Sequence, residues 1–216
     1  MNLILLGPPG TGKGTIAKFI EKRFNCTHIS TGDLLREEVA SQTELGKKIA
    51  PIMASGKLVE DEIVVKLVIE KISKLKRNFV LDGFPRNINQ GEHLDYLLKE
   101  LGIRVDAVLE IDSSEDVIIK RLAARRQCVK CKRIYGLDVP SKEEGKCDDC
   151  HSETILREDD KPEVVKKRLK LYNETTKPLI EFYKNKKILI KVDGNRPLQQ
   201  IFEEIEKIVL KIEEKK

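Results

Sequence analysis

Gly7-Pro8-Pro9-Gly10-Thr11-Gly12-Lys13-Gly14-Thr15 follows the apolar run Leu3-Ile4-Leu5-Leu6 and leads into a helical pattern from Ile16 to Phe24. Strand, glycine-rich loop and helix in that order build a phosphate cradle. Glycines let the backbone fold tightly enough to aim several N–H groups at one anion, the helix N-terminus adds partial positive charge, and Lys13 supplies a full one. The spacing is G-x-x-x-x-G-K, with Gly14 where the usual motif carries Ser or Thr and the hydroxyl one residue later, at Thr15. Gly10, Thr11, Gly12, Lys13, Gly14 and Thr15 are therefore the expected seat of a nucleotide's phosphates.

Outward from this loop the chain alternates strand and helix. Strands are expected at Cys26–Ile29, Phe79–Leu81, Ala107–Ile111 and Ile188–Val192 in addition to the first, and five strands alternating with helices imply a parallel sheet covered on both faces. Helices are expected over 34–40, 44–54, from Glu60 to Leu75, 89–101, from Ser113 or Ser114 to Arg126, and 198–210. Asp160-Lys161-Pro162 reads as an N-cap and early proline opening a helix that Pro178 kinks on its way to Tyr183. Two stretches, Ser30 to Val59 and Arg125 to Asp160, add no strand to the main sheet and should sit beside the phosphate loop.

The second of these holds Cys128-Val129-Lys130-Cys131 and Cys147-Asp148-Asp149-Cys150. Two CxxC knuckles at that separation match a tetrahedral four-cysteine zinc site, with Cys128, Cys131, Cys147 and Cys150 as ligands. Four thiolates leave no open coordination position, so the zinc is expected to be structural, stapling a small β-rich lobe with few apolar residues. His151 beside it reads as surface, and Cys26, His28 and His93 read as ordinary core or surface positions.

The totals fit one main domain with insertions. The chain has 216 residues, 40% apolar and 36% charged, with a net charge of +5 left from 41 basic and 36 acidic residues. Such a mixture predicts solubility and some attraction for anions, not a nucleic-acid binder, and no aromatic platform accompanies the cysteines. The first apolar run is too short for a signal-peptide core or a membrane span, so the expectation is a cytoplasmic protein with no membrane partner, in which paired cysteines bind metal and are not disulfides.

The phosphate loop, Ser30-Thr31-Gly32-Asp33-Leu34-Leu35-Arg36, Gly56-Lys57-Leu58-Val59, Leu81-Asp82-Gly83-Phe84-Pro85-Arg86 with Gln90, and the four-cysteine insert occur in one order. Together they resemble adenylate kinase, of the long-lid type with a zinc-binding lid, over essentially the whole chain. The resemblance implies ATP + AMP ⇌ 2 ADP with Mg2+, usually by a monomer. It also implies a P-loop core (1–29, 60–124 and 161–216), a helical AMP-binding lobe (30–59) and a lid (125–160). By similarity, Arg36 and Arg86 hold the AMP phosphate, Arg125 the ATP phosphates, and Arg157 and Arg168 close over the transferred group. Asp82 orients waters around magnesium, and Asp33 supports the monophosphate lobe.

The same resemblance places Thr31, Gln90 and the backbone of Lys57, Leu58 and Val59 in the adenine pocket for AMP, with Gly83, Phe84 and Pro85 beside its phosphate. Ile134, Tyr135 and Arg196 are expected at ATP, as is Arg121, which lies four residues from Arg125 on one helix. The chemistry agrees with this set. A phosphate nucleophile is already ionised at neutral pH and needs no general base, whereas two polyanions brought together need fixed cations, for which arginine's planar fork is suited. The alternatives are a UMP, CMP or GMP kinase, a nucleic-acid-binding module carrying the knuckles, and a phosphate-loop regulator without catalysis. Thr31 favours AMP where pyrimidine kinases carry a small apolar residue.

Overall fold

A computed structural model describes residues 1–75 and 78–214; the end of the Lys/Glu tail, expected to fray, lies outside the described residues. The first strand, β1 (Asn2–Leu6), is buried throughout and runs straight into the phosphate loop. Gly7 has φ +144, and a Cβ there would stand 2.2 Å from the Ile111 carbonyl oxygen, so only glycine lets the loop leave the sheet this close to its neighbour. α1 (Lys13–Phe24) follows and ends at Asn25, whose φ of 48 turns the chain back.

β2 (Thr27–Ser30), β3 (Phe79–Asp82), β4 (Ala107–Asp112) and, later in the chain, the last strand (Leu189–Asp193) complete a five-stranded parallel sheet with β1 at its centre, between β3 and β4. The topology reverses on either side of β1, which puts the phosphate loop at the crevice outside the carboxyl ends of the strands, where ligands of such sheets bind. Alternation along β1 divides the core: Ile4 and Leu6 face one layer, Leu3 and Leu5 the other. On the first face lie α4 (Asp61–Leu75) through Val64, Val68 and Ile72, and α5 (Ile88–Glu100) through Leu94 and Leu98. Opposite them α1 packs through Ile16, Ala17 and Ile20 beside the final helix (Leu198–Glu213) through Ile201, Ile205 and Val209.

Between β2 and α4 stand α2 (Thr31–Ala40) and α3 (Glu44–Ala54). Ser30 caps α2 by accepting from the Asp33 N–H at 3.2 Å, as its position suggests, and Thr43 caps α3 by accepting from Gly46 at 2.8 Å. After α6 (Glu115–Ala124) comes a second, antiparallel sheet of β5 (Arg126–Cys128), β6 (Ile134–Tyr135) and β7 (Thr154–Ile155), with β5 in the middle. A 3-10 turn (Glu158–Asp160) leads to α7 (Pro162–Leu171), a π turn (Tyr172–Thr176), α8 (Leu179–Asn185), β8 (the Leu189–Asp193 strand) and α9 (the final helix).

Three local expectations change. The helix expected to reach Arg126 ends at Ala124: Arg125 is extended (φ −65, ψ 133) and Arg126 opens β5, so Arg121 and Arg125 do not share a helix face. The long helix to Tyr183 is broken by the π turn ahead of Pro178, with the Thr175 hydroxyl donating back to the Leu171 carbonyl at 2.8 Å. Asp160 does not cap α7: Lys161 occupies that position without a side-chain cap, and the Asp160 carboxylate is held by arginines instead.

Candidate active site

Two clefts meet above the carboxyl ends of the sheet. The larger is lined by Gly10, Gly12, Lys13, Gly14 and Thr15, by Asp82, Arg121 and Arg125, and from the small β sheet by Ile134 to Val139. The smaller is lined by Thr31, Leu35, Met53, Lys57, Leu58, Val59, Val64 and Gln90. Arg36, Arg86 and Arg168 line both, so guanidinium groups stand at the junction, and Arg157 lines the larger cleft beside them. Gly56 closes the wall between the two: its φ is +75, and a Cβ there would lie 2.8 Å from Val164 Cγ1, against α7.

In the phosphate loop the Lys13 ammonium donates to the Gly7 and Pro8 carbonyls, each at 2.7 Å. Burial pushes its pKa down to about 8, Asp82 opposing and Arg86, Arg168 and Arg125 adding to the fall. Lys13 stays charged at neutral pH. Its folded value lies below its unfolded one, so it weakens the fold below about pH 8, and the penalty fades as pH rises to the ordinary lysine value of 10.5. A bound phosphate offsets that penalty. Thr11 does not line the cleft; it is buried, and its hydroxyl donates to the Pro8 carbonyl at 3.0 Å, shaping the loop from within.

Asp82 ends β3 across from Lys13, and a side chain at Gly14 would sit 3.4 Å from its Oδ2. Burial acts to raise the Asp82 carboxyl, but His28 and Lys13 together hold it below the usual carboxylate range. His28 is therefore not an ordinary position: it lines the larger cleft with Nε2 3.5 Å from Asp82 Oδ2. The register that places Ser30 beside Asp82 brings β2 and β3 into line, a pairing that no local pattern around His28 announces.

The arginines are tied to carboxylates. Arg125 grips Asp160 with both nitrogens, Nε at 2.7 Å, and Asp160 has no side-chain exposure. Arg168 pairs with Asp159 Oδ2 at 2.9 Å and donates to Asp160 Oδ1 at 3.2 Å. Arg36 pairs with Asp33 at 2.7 Å, its buried Nε having no hydrogen-bond partner among the described residues. Arg157 Nε donates to Gln127 Oε1 at 2.9 Å, and Arg86 Nε to the Gly83 carbonyl at 2.8 Å. Burial and crowding by like charges push Arg157 down to about 9 and Arg86 to about 10, so both remain protonated at neutral pH. Burial acts to raise Asp159, but Arg168, Arg125, Arg157 and Arg36 hold it below the ordinary carboxylate value. Only arginines register as signals in the sequence; the carboxylate pair between Arg157 and Pro162 is the readable sign of their partners.

Other expected site residues are placed as follows. Thr31 is buried, and its hydroxyl donates to the Gly83 carbonyl at 2.8 Å, leaving its lone pairs for the smaller cleft. Gly83 and Pro85 line the larger cleft, whereas Phe84 is fully buried in the core. Arg121 ties the core to the small sheet, donating to the Gly194 carbonyl at 2.7 Å and pairing with Asp138 at 2.9 Å. Arg196 is not among the cleft-lining residues; it pairs with Glu204 and Asp193.

Beside the small sheet, whose β5 carries Cys128, the sulfurs of Cys128, Cys131, Cys147 and Cys150 lie within 4.8 Å of one another. Tetrahedral ligands at about 2.3 Å from a zinc ion require sulfur separations of roughly 3.8 Å, so the four thiols fit such an ion. Tyr135 donates its hydroxyl to Cys147 Sγ at 3.3 Å and accepts the Asp148 N–H at 2.7 Å, orienting one would-be ligand.

Among known proteins, a family model described as Adenylate kinase matches residues 5–188. The chain is 46% identical to an adenylate kinase of Archaeoglobus fulgidus over 98% of this chain and 99% of the relative. It is 44% identical to one of Pseudothermotoga lettingae over 98% and 99%, and 45% identical to one of Methanothrix thermoacetophila over 99% and 100%.

Proposed function

The chain belongs to the adenylate kinase family, and from that premise we propose which of its residues carry the reaction and how. It is an ATP:AMP phosphotransferase catalysing ATP + AMP ⇌ 2 ADP; the pyrimidine and guanine monophosphate kinases are not favoured. The observation that carries the residue assignment is the junction of two clefts, one with a phosphate loop and one with apolar walls, at which Arg36, Arg86 and Arg168 are shared.

In this reading the ATP phosphates lie on Gly10 to Thr15 with Lys13 and Arg125, and its base lies toward Arg121, Ile134 and Tyr135. Arg196 approaches it only by leaving Glu204. AMP occupies the smaller cleft, its adenine against Thr31, Gln90 and the backbone of Lys57 to Val59, its phosphate on Arg36 and Arg86 near Gly83 and Pro85. Phe84 supports this wall from the core. An AMP phosphate oxygen attacks the γ-phosphorus, the bond to the ADP leaving oxygen breaks, and no proton is abstracted because the nucleophile is already an anion. Lys13, Arg125, Arg157 and Arg168 neutralise the charge that spreads over the moving group, in a site whose donors are fixed beforehand. Mg2+ would arrive with the nucleotide, and Asp82, held below the usual carboxylate range by His28 and Lys13, would be the residue to orient its waters.

The mobile units are assigned as 30–59, the AMP lobe, and 125–160, the lid, on a core of 1–29, 60–124 and 161–216. Their closure excludes water that would otherwise accept the phosphoryl group. Zn2+ in the four-cysteine site is structural. Among the described residues no helix is long and apolar enough to cross a membrane. In this reading the protein acts as a cytoplasmic monomer, and the near balance of 41 basic and 36 acidic residues speaks against a nucleic-acid partner. Purified protein given ADP and Mg2+ is expected to accumulate ATP and AMP in equal amounts, and to phosphorylate AMP in preference to UMP, CMP or GMP. Tight nucleotide binding without product, or salt-sensitive nucleic-acid binding in its place, contradicts the reading.

A further inference from the structure

We propose that Asp61 is a positioning residue that sets base selectivity in the smaller cleft by locking the Gln90 amide in one orientation. The inference rests on the assignment of that cleft to AMP. Gln90 opens α5, is 1% exposed, and lines the cleft. Both ends of its amide are engaged by other protein groups: Oε1 accepts the Arg86 backbone N–H at 2.7 Å, and Nε2 donates to Asp61 Oδ1 at 2.6 Å. One partner can only donate and the other, an ionised carboxylate, can only accept. A flipped amide sets N–H against N–H at Arg86 and oxygen against oxygen at Asp61, so both contacts oppose the flip, the charge-assisted one to Asp61 carrying the larger share.

Each amide atom keeps one further capacity, a lone pair on Oε1 and a proton on Nε2, and these are what remain for a base. In that order they match an adenine edge, where an exocyclic amino donor adjoins a ring-nitrogen acceptor. A 6-oxopurine presents the reverse, a carbonyl acceptor beside a ring N–H, and requires the flipped amide. Asp61 is itself held in place from the start of α5, by Asn87 Nδ2 at 3.0 Å and Asn89 Nδ2 at 3.1 Å. The carboxylate sits in the first turn of α4, outside the cleft-lining residues. It acts through Gln90 and does not touch the nucleotide.

The test compares the full-length wild type with Asp61→Asn and Asp61→Ala, using ATP as donor and AMP or IMP as acceptor. The asparagine substitution can turn its amide nitrogen toward a flipped Gln90 Oε1, and the alanine substitution removes the contact, so in both only the neutral Arg86 N–H is left to oppose the flip. The wild type should prefer AMP strongly, and in both variants the ratio of kcat/KM for AMP to that for IMP should fall by roughly tenfold or more, carried by KM. Turnover at saturating AMP should stay within about twofold of wild type. A purely structural role for Asp61 lowers both substrates alike; an unchanged AMP:IMP ratio in either folded variant overturns the inference while leaving the cleft assignment standing. A wild type indifferent between AMP and IMP removes the cleft assignment itself.

Discussion

An Arg168→Ala protein is expected to lose about a hundredfold in turnover, about 2.7 kcal/mol of transition-state stabilisation, with little change in the KM of either substrate. Arg168 lines both clefts, so its guanidinium can bear on the phosphoryl group midway in transfer, where charge develops, and not on either nucleotide at rest. Its own fold contribution is modest. It donates to the Asp159 carbonyl at 2.8 Å and shares Asp160 with Arg125, whose two-nitrogen grip stays in place when Arg168 is removed. Buried carboxylates left without any cation are strongly destabilising, but Asp160 keeps Arg125, and Asp159, which loses its ion pair with Arg168, still lies in the field of Arg125, Arg157 and Arg36, so the thermal midpoint should drop by only a few degrees. Arg168→Lys, which restores charge but not the fork, should fall between. Steady-state rates with ADP and a thermal melt of the same samples check this; near wild-type turnover sinks the role.

The second large effect is thermal. Stripping metal with a strong chelator, or changing Cys147→Ser, should lower the midpoint by on the order of 10 °C or more. The small sheet pairs strands of only two or three residues, and its buried apolar cluster consists of Cys128, Tyr135 and Cys147, with Cys150 packed against it. All but Tyr135 are thiols placed to hold an ion, and hydrophobic burial on this scale cannot order such a lobe alone. A structural zinc supplies several kcal/mol to folding, and in a chain of this length each kcal/mol moves the midpoint by about 2–4 °C. Calorimetry of metal-free protein should show an early transition for the lobe ahead of the core, with activity lost across it because Arg125 and Arg157 flank the lobe. Elemental analysis should find one zinc per chain. A metal-free protein that melts like the untreated one contradicts the stapling role.

How legible these features are depends on whether the deciding interactions are local. Gly7 to Thr15, the alternating strands and the cysteine spacing are signals carried within a few residues, and they place the sheet, the phosphate loop and the knuckles correctly. Ser30 as a cap is readable for the same reason. Contacts between distant segments are not: His28 reaches Asp82 because β2 pairs with β3, and Asp61 reaches Gln90 because α4 packs on α5. Asp160 shows the competition directly. Its position before Lys161-Pro162 reads as a cap, but a buried carboxylate between Arg125 and Arg168 gains two charged partners, which outweigh one backbone N–H. The break before Pro178 comes as a π turn over Tyr172–Thr176, where the Thr176 hydroxyl donates to the Arg86 carbonyl at 2.7 Å; a long-range bond thus sets the helix geometry beside the site.

In the proposed mechanism fixed cations do the chemistry and no side chain abstracts a proton. This is tested most directly by a crystal structure with Mg2+ and two adenosines joined through five phosphates, which fill both clefts at once. The account predicts Lys13, Arg36, Arg86, Arg125, Arg157 and Arg168 each within about 3 Å of a phosphate oxygen, Arg168 having exchanged at least one carboxylate oxygen for phosphate, and no carboxylate or imidazole at the bridging phosphates. Guanidinium groups still turned onto Asp159 and Asp160 and away from the phosphates, or a carboxylate seated where an attacking oxygen lies, would contradict it.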